Sequence, residues 1–437
     1  MPPLAAARLA LLLSLALAAV PTVRAQAPDT LRLGAVLDAL YADNPTLAAE
    51  RLDARALARR GDQVGALPDP TASVMVAPYP ILTARGTQRS QWRVEQMLPW
   101  PGTLGLRRDA ADARAEAARW GGDATALDLA RRATRAYADL VRTQEAADVV
   151  RAFQARLGAF AEAAAVRYEV GRGPQGAVLQ VQLERQRLDE RLITLARERD
   201  AAVQTLARVL DRPALTVGRV VAIVPALPEA DDLAALAVET RPEVAQAQAR
   251  ITAAEADVAL AEKAFYPDLG FGVVYTDIAQ ADAPPTATGR DALGLMASVR
   301  IPLDRASRRA GLDQARLREE AARARLAATE TAVQTDVADA LSDARRAAET
   351  VALYETTLLP QSLTTVESAL AGYTTGTVDF LAFLDAERAR FQIQLGLVDA
   401  RARLLDAAAD LARAVGLTTP DSLPRSGGAL APSPQDR

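Results

Sequence analysis

The sequence of 437 residues has no cysteine and no histidine. That excludes disulfides, Cys/His zinc sites and Ser-His or Cys-His catalysis. No Asp/Glu group stands at metal-ligand spacing, so no metal, no cofactor and no enzyme are expected. Aromatic residues are only 4% while hydrophobic residues reach 50%, and Ala, Leu, Arg and Glu dominate, the composition of long packed helices. With a net charge of −4 there is no basic field, so nucleic acid is not an expected partner.

Apolar runs are also scarce, apart from one near the N-terminus. Arg8 followed by Leu9 to Val20 and then Val23-Arg24-Ala25-Gln26-Ala27 reads as an export signal over residues 1–27, cut after Ala25 or Ala27. The run is too short to span a bilayer. No cysteine follows it, so no lipid anchor is expected.

What the chain does have is an internal repeat. The stretch Gly372-Tyr373-Thr374-Thr375-Gly376-Thr377-Val378-Asp379 separates a very long helical pattern from a shorter one. A weaker copy, Tyr168-Glu169-Val170-Gly171-Arg172-Gly173-Pro174-Gln175-Gly176, stands one half-chain earlier. Asn44-Pro45, a helix cap followed by a first-turn proline, is echoed by Arg241-Pro242, and Pro70 and Pro267 keep the same offset. The expected division is a first repeat over 28–211, a linker over 212–240, a second repeat over 241–416 and a disordered tail over 417–437.

After Pro70 and Pro267 the period changes from helical to two. Strands are expected at about 71–78 and 91–99 in the first half and 268–277 and 291–302 in the second. Leu269, Phe271, Val273 and Tyr275 share one face while small or polar residues fill the other. Arg93, Glu95 and Arg300 fall on the polar side, the candidate lumen of a membrane β-barrel. Tyr79, Trp92, Trp100, Tyr266 and Tyr275 are placed as interface aromatics at or near strand ends. Stretches 80–90 and 279–290 read as exposed loops. Four strands cannot close a membrane barrel, so several copies must combine. The long helical patterns run from about Leu104 to Tyr168 and from about Arg305 to Tyr373, each roughly 90 to 100 Å. Shorter helices, Gly176 to Leu210 and Asp379 to Val415, return from the two tips.

With this repeat and these tips the chain resembles the TolC family of outer-membrane efflux channels, from Leu31 to about Val415. The resemblance implies a mainly α fold with a membrane β-barrel: a homotrimer whose twelve-stranded barrel sits in outer-membrane lipid on a long α-helical barrel in the periplasm. It further implies a passive duct that meets a periplasmic adaptor and, through it, an inner-membrane pump of the RND type. Gly171, Arg172, Tyr373, Gly376 and Thr377 would then be the tip residues that meet the adaptor. Asp385 matches an acidic ring at the tunnel entrance, and Asp379 is a second candidate, with a helix N-cap as its plainer role. Gln96-Met97-Leu98-Pro99-Trp100-Pro101-Gly102 is similar to the heavy-metal branch, which points to metal cations as cargo. A type I protein secretion outlet, a multidrug duct and a soluble periplasmic coiled-coil scaffold are the alternatives.

Overall fold

The computed structural model describes residues 30–170, 175–228, 232–280 and 285–423, and the segment read as an export signal lies outside them. In chain order the elements begin with β1 (Thr30–Leu31), α1 (Leu33–Asp43), α2 (Pro45–Val64), β2 (Thr71–Thr83), β3 (Gly86–Leu98), α3 (Thr103–Glu169) and α4 (Gln175–Leu210). The linker supplies β4 (Arg219–Val220) and α5 (Leu233–Thr240). Then come α6 (Pro242–Lys263), β5 (Asp268–Ala279), β6 (Ala292–Arg300), α7 (Arg305–Leu353), α8 (Leu359–Thr375) and α9 (Phe380–Val415).

The α1–α2 junction shows why the chain breaks where it does. Pro45 cannot donate a backbone hydrogen bond but fits the first turn of a helix. Asn44 Oδ1 accepts from Leu47 N at 3.1 Å, capping α2. The Asn44 amide donates to Val209 O at 2.8 Å, which ties the break to the end of α4.

Each half stacks two short helices end to end beside one long one, α2 and α4 along α3 in the first. In the second, α6 and α9 both lie along α7, and both also pack on α3, so the halves sit side by side. The linker packs across the middle. β1 and β4 pair in parallel, and Tyr137 Oη, fully buried on α3, donates to Val221 O at 2.6 Å. α5 rests on α7 and α9 through Leu233 and Ala237.

Four differences from the sequence reading have physical causes. Residues 80–90 are mostly strand rather than loop: β2 and β3 run on to the tight turn at Thr83↔Gly86, where Gly86 adopts φ 142. A register shift between Val76 and Ile81 takes up extra residues that an alternation reading cannot see. One consequence is that Trp92 sits in mid-strand, not at a strand end.

The second long helical pattern is not one unbroken α-helix. Between α7 and α8, Tyr354–Leu358 form a π turn in which Leu359 N–H donates to Tyr354 O. Pro360 has no N–H for the regular pattern and its ring crowds the carbonyl of Thr356, so the helix widens just before it. Finally, the disordered tail expected from 417 does not begin there. Gly416 ends α9 with φ 88, Leu417 N donates to Ala412 O at 2.7 Å, and a short 3-10 turn over Pro420–Ser422 brings Leu423 into a buried contact with the α5–α9 core.

Candidate functional site

Two regions at opposite ends of the long helices carry the features singled out by the sequence. At one end β2, β3, β5 and β6 form a four-stranded antiparallel sheet in that order, so β2 and β6 are free edges. The register sets Val74, Trp92, Tyr275 and Leu293 in one cross-strand row and Val94, Val273 and Leu295 in the next, all on one face. These side chains are exposed, Leu295 at 90% and Leu293 at 75%, so the apolar face has no partner within the chain.

The opposite face holds Arg93, Glu95 and Arg300, on one side of the sheet as the alternation predicts, with Arg300 three rows from Arg93. Ser298 Oγ donates to Glu95 Oε1 at 2.5 Å across β5. Gly270 makes that reach feasible, since a Cβ there would stand 2.2 Å from Ser298 Oγ and 2.7 Å from Glu95 Oε1. The stretch Gln96–Gly102, read above for cargo, is built as a junction: Gln96 donates to Pro68 O, Trp100 stacks on Tyr266, and Gly102 turns the chain into α3 with φ 86.

At the other end lies the tip between α8 and α9. Gly376 takes the left-handed φ 78 that a Cβ would strain, and Thr377 N and Val378 N donate to Gly372 O at 2.9 and 3.1 Å, closing α8. Asp379 Oδ1 accepts from Ala382 N at 2.8 Å and so caps α9. Asp385 is solvent-exposed and its carboxylate receives Arg388 at 3.0 Å; the same guanidinium donates to Glu184 of α4 at 2.8 Å. Thr377 is exposed, whereas the Tyr373 ring packs inward, stacked on Phe383 with centroids 5.8 Å apart. Gly171 and Arg172 lie outside the described residues.

Above the tip the α3–α9 seam is aromatic. Phe153 stacks on Phe391 at 4.5 Å and Phe160 meets Phe383 edge-on at 4.9 Å. Glu387 is buried in this seam, 3.4 Å from Arg156 of α3. Glu387 is not among the site residues expected from the sequence, although a signal existed: it occupies a helical-stripe position between Leu384 and Phe391 where an apolar residue is expected.

A second network sits where the two helix layers meet. Arg413 of α9 donates to Asp128 at 2.8 Å and to Glu243 at 2.6 Å, while buried Arg241 reaches Glu243 at 3.1 Å and Asp336 at 2.8 Å. Burial alone would raise the Glu243 carboxyl, but the Arg241 hydrogen bonds and the Arg413 charge outweigh it and hold the pKa at about 2. Beside it a groove of about 960 Å³ between α3, α7 and α9 is lined by both signs, among them Arg131, Arg403, Asp339 and Asp410. Among the described residues no group of three or more acidic side chains is arranged to hold a metal ion. Among the described residues no helix is long and apolar enough to cross a membrane.

Residues 233–417 match the sequence profile of the family described as outer membrane efflux protein. The second half of the chain is thus similar to that family. Outer membrane protein OprJ of Pseudomonas aeruginosa is 28% identical over 186 residues, a stretch that covers 41% of this chain and 37% of OprJ. Among solved structures, the outer-membrane channel OprN superposes with a TM-score of 0.70 at 21% identity over 88% of this chain and 89% of its own. The open state of the Neisseria gonorrhoeae MtrE outer membrane channel gives a TM-score of 0.70 at 19% identity, covering 89% of each chain. The fold of this chain is therefore that of these outer-membrane channels, a mainly helical shaft carrying a small antiparallel sheet. The profile covers the second half only, yet the superposition runs through both, as expected for a duplicated architecture.

Proposed function

We propose that three copies of this chain form the outer-membrane exit duct of a tripartite efflux system, a passive channel and not an enzyme. The observation that carries the reading is the sheet. It has two free edges and one fully exposed apolar face, an arrangement that would aggregate in water unless the edges pair with other copies and the face meets lipid. Three such sheets make a closed wall of twelve strands, with Arg93, Glu95 and Arg300 facing the lumen. Below it, α3 and its counterpart α7 with α8 extend as a tunnel wall, α3 alone running 67 residues or roughly 100 Å.

On this reading the tips are the periplasmic end. Gly376 and Thr377 are presented to an adaptor that links the duct to an inner-membrane pump, while Tyr373 shapes the tip from within. Asp385 supplies one carboxylate per copy at the entrance, and three carboxylates around a narrow opening favour cations.

The test is fractionation and electrical recording. The protein is expected in the outer-membrane fraction, migrating as a trimer in mild detergent, with conductance in planar bilayers and lower cation preference in Asp385→Ala. A stable water-soluble monomer would overturn the reading.

A further inference from the structure

The apolar face of the sheet is bounded at both ends. Trp92 lies on β3 and Trp100 two residues past its end; the eight residues between them correspond to about 26 Å of extended chain, or about 20 Å of height at the tilt of a membrane barrel. The outward positions between them carry Val94, Phe271, Val273, Leu295 and Val299, all exposed in the single chain. Past the Trp92–Tyr275 row polar groups join the same face, Ser90 and Asp277 beside the exposed Val76, with Asp277 paired to Arg89 at 2.9 Å. At the other end the helices begin immediately after Trp100, so that boundary is the one toward the tunnel.

A cation waits at this second boundary. Trp100 and Tyr266 stack with centroids 4.9 Å apart, and the Lys263 ammonium lies 5.7 Å from the Tyr266 ring centre. Lys263 is the single lysine of the sequence. Its neighbouring acids are committed elsewhere: Glu262 to Arg316 at 3.6 Å, and Asp268 to the backbone N of Trp100 at 3.3 Å. Among the described residues no carboxylate pairs with Lys263. A second copy is not positioned to supply one, because α6 is flanked by α3 and α7 of its own chain, whereas the edges open to other copies are β2 and β6.

We propose that Lys263, Tyr266 and Trp100 form a docking site for the phosphate of a glycerophospholipid in the leaflet facing the tunnel. The site rests on the outer-membrane reading above. The ammonium meets the phosphate while the stacked rings occupy the boundary between headgroup and acyl chains, the position that amphipathic rings and a lysine stem fill at a bilayer interface. A phosphate at this level supplies the negative charge that the protein itself withholds from Lys263.

The test is native mass spectrometry of the purified protein released from detergent, equilibrated with phosphatidylglycerol, with phosphatidylethanolamine, or with the phosphate-free diglucosyl diacylglycerol. The two phospholipids are expected to be retained about five-fold better than the glycolipid, the preference of one cation near an anionic headgroup. Lys263→Gln should abolish the preference and Lys263→Arg should keep it. Equal retention of all three lipids by the wild type, an unchanged preference in Lys263→Gln, or displacement by inorganic phosphate at matched concentration would each overturn the site. Insertion into vesicles is scored on the same preparations: normal insertion without headgroup preference refutes the lipid site alone. A protein that stays out of every vesicle refutes the outer-membrane reading together with it.

Discussion

Asp379→Ala separates two roles that one carboxylate could hold at the tip. In the structure its Oδ1 accepts from Ala382 N at 2.8 Å with Asp379 at φ −77, ψ 164, an N-cap conformation. Removing such an acceptor costs about 1 kcal/mol, because an amide that the helix cannot satisfy is left to water alone. At tenfold per 1.4 kcal/mol this is about a five-fold rise in the open population of the first turn of α9. Hydrogen exchange of the trimer, read at Ala382 to Leu384, should therefore speed up about five-fold in Asp379→Ala. Asp379→Asn keeps a side-chain acceptor and should exchange almost as the wild type does. The effect should stay local, since Phe380, Phe383 and Leu384 remain buried in the aromatic seam. Reversal potentials should be unchanged in Asp379→Asn, because the cap and not the charge is in use. Wild-type exchange in Asp379→Ala, or a loss of cation preference in Asp379→Asn equal to that of Asp385→Ala, would refute the capping argument.

Two further outcomes follow from buried geometry. Glu243 has its pKa depressed from 4.5 to about 2 by Arg241 and Arg413, so its stabilisation is fully present above about pH 5 and is lost as the pH falls through the range from 4.5 toward 2. With the side chain 23% exposed, the contribution at neutral pH is about 2 kcal/mol; the thermal inactivation rates of wild type and Glu243→Gln should differ clearly at pH 7, draw together below the unfolded pKa of 4.5 and converge only as the pH approaches about 2, and a gap that stays constant with pH would contradict the linkage. Gly270→Ala would set a methyl 2.2 Å from Ser298 Oγ, an overpacking cost of about 1 to 3 kcal/mol. The yield of heat-modifiable trimer should drop and recover in part when Ser298→Ala is added, whereas assembly of Gly270→Ala at wild-type yield would show that the Glu95–Ser298 bond is dispensable to packing.

The amino-acid sequence by itself determined the plan of this protein. Helical and two-residue periods are local properties of the chain, and proline, glycine and asparagine act on their own backbone, so the duplication, the four strands, the Asn44 cap and the tip at Gly376 were all readable. The tertiary structure decided what depends on partners distant in sequence. The Val76–Ile81 register shift exists only between strands, and it moved the hairpin end and left Trp92 in mid-strand. The Pro360 π turn was locally signalled by the proline but depended on a helix held in place on both sides. The burial of Glu387 against Arg156 and the depressed carboxyl of Glu243 beside Arg413 arise from helices brought together across more than a hundred residues. Charge in a sequence carries no sign of its surroundings, because desolvation and pairing are set by where the other chain segments lie.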